Sequence, residues 1–150
     1  MRDLSDIVKA YDIRGVVGEQ LDAALVRRAG AAFARLVASE GAGSVVVGHD
    51  MRDSSPGLAA AFADGVTAQG LDVVSIGLCS TDMLYFASGS LDLPGAMFTA
   101  SHNPARYNGI KMCRAGRSGD RPGHHQGRHR SRDPGRRWRE HGQRDRTQPA

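Results

Sequence analysis

The sequence predicts an α/β fold, a mostly parallel sheet with helices on both faces. The first observation is an alternation of strand-like and helix-like segments, which favours parallel strands joined by right-handed crossovers. The second is a run of adjacent β-branched residues in "SVVVGHD", typical of a strand that is buried on both faces. The third is that polar loops follow the strands, where sheets of this kind bind ligands.

The first half of the chain contains an extended segment, a long helix and a buried strand. The extended segment is "YDIRGVV", and glycines interrupt it. A helix is predicted over residues 22–39, because apolar residues recur every three or four positions and glycines follow its end. The predicted apolar stripe of this helix consists of Leu21, Leu25, Ala29, Ala32 and Leu36. "SVVVGHD" is the buried strand that comes next.

The second half continues the alternation up to about residue 114. Ser55 is the predicted N-cap of the helix "GLAAAFADGVTAQ", with Pro56 in its first turn. "LDVVSIGLC" and "PGAMFTA" are predicted as further buried strands, separated by the helix "STDMLYFASGSL" with Ser80 or Thr81 as its cap. "NGIKMCR" is predicted to turn at Asn108 and Gly109 and to form one more short strand.

Composition divides the chain near residue 116. Residues 1–116 hold ten basic and twelve acidic residues, a net charge of −2, and have a globular composition. Residues 117–150 hold ten arginines and four acidic residues, a net charge of +6, and almost no apolar residues. Such a segment buries too little apolar surface to offset the entropy of ordering. We therefore expect one folded domain over 1–116 and a disordered tail over 117–150.

Cysteine content and the N-terminus bear on location. Cys79 and Cys113 show no metal-ligand or CxxC spacing, which fits a reducing compartment. No apolar run resembles a signal peptide or a membrane span. The expectation is a cytoplasmic protein without a membrane partner.

The loop "TASHNPARYNG" carries the candidate chemistry. A free serine hydroxyl is a weak nucleophile, and Ser101 lacks the flanking glycines of a hydrolase elbow. Adjacent residues of an extended loop point apart, so His102 is not implied as its base. A phosphorylated serine that transfers its phosphoryl group fits better, with Lys111 and Arg14 as candidate phosphate contacts. The alternative is a serine that merely caps a turn.

Two motifs resemble the active-site signatures of the α-D-phosphohexomutases of the bacterial phosphomannomutase/phosphoglucomutase type. "TASHNP" followed by "NGIK" is similar to the family's serine loop, and "AYDIRG" is similar to its N-terminal motif. The resemblance runs to about residue 116 and covers the first domain of the family. It implies interconversion of hexose 6-phosphate and hexose 1-phosphate, on glucose or mannose phosphates, through a bisphosphate intermediate.

The resemblance also assigns roles to individual residues. It implies that Ser101 is the phosphoserine and supplies one oxygen to a Mg²⁺ ion. By the same resemblance His102 is an active-site histidine, and Lys111 is a general acid/base. Arg14 and Tyr11 match residues near the reacting phosphate. Together, Tyr11, Arg14 and Lys111 are the expected substrate-binding residues.

Other parts of the family's site have no counterpart in this sequence. The remaining Mg²⁺ ligands of the family lie in an Asp-Gly-Asp-Gly-Asp-Arg loop of the second domain, and no such loop occurs here. The loops that recognise the sugar are missing as well. We therefore expect an N-terminal fragment that is inactive alone, and its preference for glucose or mannose stays open.

Two alternatives use the same sequence differently. In the first, the domain is a non-catalytic module that binds sugar phosphates or a protein partner. In the second, the arginine-rich tail binds the phosphates of nucleic acid. The acidic residues and the single aromatic residue of the tail, Trp138, disfavour the second. Asp50 and Arg52, in "GHDMRDSS", sit at the ligand edge of the sheet, where helix capping and loop ion pairing are equally good interpretations.

The abrupt change after residue 116 predicts a frameshift near codon 116 or a truncated gene model, because Arg, Gly, Pro, Asp and His in the tail are residues that GC-rich DNA encodes in a shifted frame. Resequencing the coding DNA from codon 105 onward and translating all frames tests this hypothesis. An Asp-Gly-Asp-Gly-Asp-Arg loop in another frame is the expected result. Unrelated sequence in every frame contradicts it.

Overall fold

The computed structural model describes residues 8–9 and 12–115, which form six strands and three helices. The strands are β1 (Val8–Lys9), β2 (Asp12–Val16), β3 (Ser44–His49), β4 (Asp72–Leu78), β5 (Gly95–Phe98) and β6 (Tyr107–Cys113). The helices are α1 (Ala23–Ser39), α2 (Ser55–Thr67) and α3 (Thr81–Leu91). The predicted disordered tail, residues 117–150, lies outside the described residues.

All six strands belong to one sheet, in the order β1-β2-β6-β5-β3-β4. Strands β4, β3 and β5 run parallel, whereas β6 is antiparallel to both β5 and β2, and β1 is antiparallel to β2. The α/β class is confirmed, but parallel pairing is limited to three strands, so the sheet is mixed. The reason is the short connection between β5 and β6, residues 99–106, since a parallel neighbour requires a longer crossover.

Helices cover both faces of the parallel strands, as predicted. Side chains of a strand alternate between faces, and β3 shows this clearly. Val45 and Val47 belong to the main core with α1 and α2, while Val46 packs into a second cluster with Leu84 of α3 and Met97 of β5. Because β3 and β5 run parallel and adjacent, the loops that follow them lie at one edge of the sheet.

Helix α1 begins where the sequence predicts, but its buried face differs. The Asp22 carboxylate accepts a hydrogen bond from the Leu25 N–H at 2.8 Å, which caps the first turn. The buried helical residues are Val26, Gly30, Phe33, Ala34 and Val37. The predicted stripe was therefore wrong in its second half, where Ala32 and Leu36 are exposed. The close approach of α2 at Gly30 turns the buried face away from them.

Two further expectations need correction. Strand β4 is not buried on both faces, since Val74 and Leu78 are exposed and β4 forms the edge of the sheet beside β3. Ser55 does not cap α2, because the N-cap position is Ser54 and no side-chain capping bond forms there. The predicted cap of α3 is confirmed: the Ser80 hydroxyl accepts the Met83 N–H at 3.2 Å.

The α1–α2 contact depends on two glycines. A Cβ atom at Gly30 would lie 2.3 Å from the Phe62 carbonyl oxygen, and one at Gly65 would lie 2.0 Å from the Arg27 carbonyl oxygen. Both obstacles are backbone atoms, which cannot move aside as a flexible side chain can. The two glycines allow the helices to lie close together, and Phe33 and Phe62 pack across the contact with ring centroids 6.0 Å apart.

Gly65→Ala should lower the free energy of unfolding by about 1–3 kcal/mol, because overpacking outweighs the better helix propensity of alanine. Chemical denaturation measures the change. Gly89→Ala in α3 is the matched control, since nothing lies within 4 Å of a Cβ atom there. The control should be neutral or stabilising by up to about 1 kcal/mol. Equal stability of both variants would contradict the interpretation of the helix contact.

Candidate active site

The loop between β5 and β6, residues 99–106, places a serine hydroxyl beside a lysine. The Lys111 ammonium donates a hydrogen bond to Ser101 Oγ at 3.0 Å, and Ser101 is exposed. The backbone of Ser101 is left-handed, with φ of 53°. This conformation costs a non-glycine residue about 1–3 kcal/mol. Ordering contacts must offset that cost, and one of them is the Ser101 N–H bond to Thr99 Oγ1 at 3.0 Å.

Strand alternation carries Lys111 to the site. Ile110 is fully buried in the main core and Met112 packs against it, as the sequence predicts for one face of β6. Lys111 occupies the opposite face and lies across from Met97 of β5 and Asp12 of β2. Its ammonium can therefore approach the loop that follows β5, and the apolar neighbours of Lys111 keep the strand in register.

Strand β2 supplies a second cation on the same face. Asp12 is the cross-strand neighbour of Lys111, and Arg14, two residues further along, shares its face. An Arg14 Nη2 lies 3.3 Å from an Asp12 carboxylate oxygen. Within the described part of the chain, Arg14 Nε and Asp12 Oδ1 are buried without a hydrogen-bond partner. Arg14 thus keeps donor capacity for an anion.

The structure does not bring every expected residue into contact. His102 is exposed and makes no hydrogen bond or ion pair with residues 12–115, so it is not paired with Ser101. Tyr11 lies outside the described residues. The residues brought together are Ser101 and Lys111, with Arg14 on the neighbouring strand.

Arg52 holds the backbone of the serine loop. Its Nη2 donates to the carbonyl oxygens of Ser101 at 3.0 Å and Asn103 at 2.8 Å. Its Nη1 donates to those of Pro104 at 2.9 Å and Tyr107 at 3.1 Å. From the sequence, helix capping and loop ion pairing were equally good interpretations of Arg52, and its strongest functional signal was its place in the polar loop that follows a buried strand.

Asp50 orients Arg52 from the same loop. An Asp50 carboxylate oxygen lies 3.3 Å from Arg52 Nε, and its other oxygen accepts the Arg52 backbone N–H at 3.0 Å and the Ser55 hydroxyl at 2.5 Å. Burial acts to raise the pKa of the Asp50 carboxyl. Hydrogen bonds from Ser55, the Arg52 backbone and Thr99, with the positive charge of Arg52, outweigh burial and lower that pKa.

Asn108 and Gly109 do not form the predicted turn. Both lie within β6, and Asn108 is fully buried. Its side-chain amide donates to the hydroxyls of Ser54 at 2.8 Å and Ser55 at 2.9 Å. A Cβ atom at Gly109 would lie 2.4 Å from the Ile13 carbonyl oxygen, so a close strand contact explains the glycine. The buried amide connects β6 to the Asp50–Arg52 pair through Ser55.

This arrangement suits the handling of a phosphoryl group. A lysine ammonium and an arginine on one sheet face favour a dianion at the serine oxygen. The described residues are less suited to binding a metal ion. The described residues hold no cluster of three His, Cys, Asp or Glu side chains, and one serine oxygen falls short of the ligands that an octahedral Mg²⁺ site requires.

Comparison with known proteins identifies the family. The model of the phosphoglucomutase/phosphomannomutase alpha/beta/alpha domain I matches residues 5–122. The chain belongs to the phosphoglucomutase/phosphomannomutase family. The resemblance of its serine loop and its N-terminal motif to that family is thereby confirmed.

Relatives and solved structures agree on the extent of the match. A phosphohexose mutase of Xanthomonas campestris is 49% identical over 107 residues, which are 71% of this chain and 23% of the relative. A phosphoglucomutase of Neisseria gonorrhoeae is 42% identical over 112 residues, 74% of this chain and 24% of the relative. A family structure from Burkholderia thailandensis is 45% identical, with a TM-score of 0.67, over 71% of this chain and 25% of that one. This family member therefore spans about a quarter of the length of those proteins.

The helices of this family member include no candidate membrane span. Among the described residues, none of them is both long and apolar enough to cross a bilayer.

Asp50→Asn should lower the free energy of unfolding at pH 7 by about 1–3 kcal/mol, because it removes an ionic partner of Arg52. Since the pKa of Asp50 is held below its ordinary value of 3.8, the stabilisation is present above that pH and is lost as the pH falls through the lowered pKa. Denaturation curves at pH 7 and at acidic pH measure the difference from the wild-type chain.

Asp53→Asn is the matched control for this pH dependence. Asp53 is exposed in the same loop, and its replacement should leave stability at pH 7 unchanged. A stability difference between the Asp50 variant and the wild type that stays constant down to strongly acidic pH would contradict the assignment.

Proposed function

We propose that this chain supplies the phosphoserine of a phosphohexomutase, with Ser101 as the residue that donates and reclaims the phosphoryl group. The observation that carries the proposal is the contact of 3.0 Å between Lys111 Nζ and Ser101 Oγ. It pairs the nucleophile with a proton donor that also neutralises anionic charge. Arg14 supports the proposal, because its Nε has no hydrogen-bond partner among the described residues and Arg14 lies on the same face of the sheet.

The proposed chemistry is a reversible transfer between two oxygens. In the first step a free hydroxyl of a hexose phosphate attacks the phosphorus of phospho-Ser101, and the bond between phosphorus and Ser101 Oγ breaks. The sugar hydroxyl releases its proton, the departing Ser101 Oγ takes up one proton, and the product is a hexose bisphosphate. In the second step Ser101 Oγ attacks the other phosphoryl group of that intermediate, which regenerates phosphoserine and releases the isomeric monophosphate. Catalysis of this kind rests on positioning and charge neutralisation.

Lys111 is the proposed general acid/base of these steps. Its ammonium already donates to Ser101 Oγ, so it can protonate that oxygen when it leaves and take the proton back when it attacks. Arg14 is the proposed contact of the phosphoryl oxygens, since it lies on the same face of the sheet as Lys111. His102 and Tyr11 stay predictions, His102 as a neighbour of the reacting group and Tyr11 as a substrate contact.

The proposed substrates are glucose and mannose phosphates, after the names phosphoglucomutase and phosphomannomutase in the family. Because this chain spans about a quarter of its relatives, isomerisation is proposed for the whole enzyme, and residues 1–116 act as its serine domain. Mg²⁺ and a cytoplasmic location stay predictions. In the whole enzyme Mg²⁺ would neutralise phosphoryl charge, with Ser101 as one of its ligands. The nucleic-acid alternative concerns residues 117–150, which lie outside the described structure.

The test of the proposal is phosphoryl uptake by the full chain, a half-reaction separate from the isomerisation proposed for the whole enzyme. The chain is incubated with glucose 1,6-bisphosphate labelled with ³²P and with Mg²⁺, and acid-stable label on protein is quantified. Ser101→Ala should abolish labelling, and Lys111→Met should slow it roughly 10²–10⁴-fold, the usual contribution of a general acid/base.

Ser90→Ala is the matched control for Ser101. Ser90 is an exposed serine on α3, and its replacement should leave labelling at the wild-type level. Mass spectrometry of the labelled peptide identifies the acceptor. Label on another residue, or a wild-type chain that stays unlabelled while a full-length relative is labelled, would overturn the proposal.

A further inference from the structure

The guanidinium of Arg52 has no hydrogen-bonding capacity left for a ligand. An arginine side chain carries five N–H donors and no acceptor. The two Nη atoms of Arg52 donate to four carbonyl oxygens, and Nε faces the Asp50 carboxylate. All five donors therefore have partners inside the protein. This distinguishes Arg52 from Arg14, whose Nε is unpartnered within the described residues.

The four carbonyl groups come from one short segment, residues 101–107. Besides the strand ladders, the backbone hydrogen bonds of this segment within the described residues are those from Asn103 N–H to Ala100 O at 3.0 Å, from Tyr107 N–H to Pro104 O at 2.9 Å and from Val17 N–H to Arg106 O at 2.9 Å. The planar guanidinium of Arg52 donates to the four carbonyl oxygens and so holds the rest of the loop in place. One of those oxygens belongs to Ser101, whose backbone is left-handed.

Contacts with Asp50 in turn fix the position of the Arg52 side chain. Its side chain is 14% exposed, and Asp50 holds both its Nε and its backbone N–H. Ser55 donates to Asp50, and the fully buried Asn108 donates to Ser55. Through these contacts the start of α2, the end of β3 and the start of β6 all determine where the guanidinium lies.

We propose that Arg52 is a positioning residue. It holds residues 101–107 in place so that the Ser101 hydroxyl stays in contact with Lys111. Arg52 itself does not contact the phosphoryl group. The proposal rests on the function proposed for Ser101. A lysine at position 52 keeps the positive charge and the ion pair with Asp50. A single ammonium has only three donors and cannot bind four carbonyl oxygens in one plane.

The experiment compares Arg52→Lys and Arg52→Gln with the wild type in the full chain. Amide hydrogen exchange followed by mass spectrometry is measured for the loop 99–107 and, as internal references, for β3 and α1. We expect exchange in the loop to accelerate about tenfold or more beyond any change in β3 and α1 in both variants, because the local opening equilibrium shifts more than the global one. Arg28→Lys, an exposed position on α1, is the matched control and should change neither region.

Labelling of Ser101 by ³²P-glucose 1,6-bisphosphate is the second measurement. It should fall by a similar factor in both Arg52 variants, and it should recover in part when guanidinium ion is added to Arg52→Ala at a concentration too low to denature the chain. A residue needed only for overall stability would not show that recovery.

The outcomes separate this proposal from the proposed function. Unchanged loop exchange, or acceleration of the loop, β3 and α1 by one common factor, overturns the role of Arg52. Selective loosening of the loop in a protein whose wild type takes up no label supports the role of Arg52 and contradicts phosphoryl transfer by Ser101. Normal labelling of an Arg52 variant whose loop is selectively loosened also overturns the role of Arg52, because the serine would then need no positioning.

Discussion

The ion pair between Asp50 and Arg52 is the interaction on which the site depends. The serine loop is an irregular connection between two antiparallel strands, and its carbonyl groups need donors that neither strand provides. Arg52 provides four of them, and Asp50 fixes the direction of its fork. A largely buried charge pair of this kind stabilises only when its remaining hydrogen bonds are satisfied, and here Ser55 and Arg52 satisfy the carboxylate.

The fold places the Asp50–Arg52 pair and the serine loop at the same edge of the sheet. Strands β3 and β5 run parallel and adjacent, so the loops after them emerge side by side. Strand β6 then returns antiparallel to β5 and carries Lys111 back toward the loop. The antiparallel pairing of β5 and β6 across a short connection therefore brings a serine and a lysine ten residues apart into hydrogen-bond contact.

Two kinds of arginine serve this site in different ways. Arg52 has every donor occupied and is mostly buried, so it acts on the backbone. Arg14 is about one-third exposed and keeps a donor unpaired within the described residues, so it suits an anionic ligand. Arg52 and Arg14 carry the same group with the same charge, so composition and charge cannot distinguish them. The number of guanidinium donors that already have partners distinguishes an arginine that positions the backbone from one that binds a ligand.

The sequence by itself determined the α/β class, the bounds of the helices to within about two residues, and the motifs that carry the family resemblance. Local periodicity, capping residues and the alternation around Lys111 sufficed, because each depends on neighbours in the chain. Only the tertiary structure decided the antiparallel half of the sheet, the exposure of β4, the strand position of Asn108 and Gly109, and the loop contacts of Arg52. The Arg52 contacts join residues about fifty positions apart in the chain, and no local pattern records such a contact.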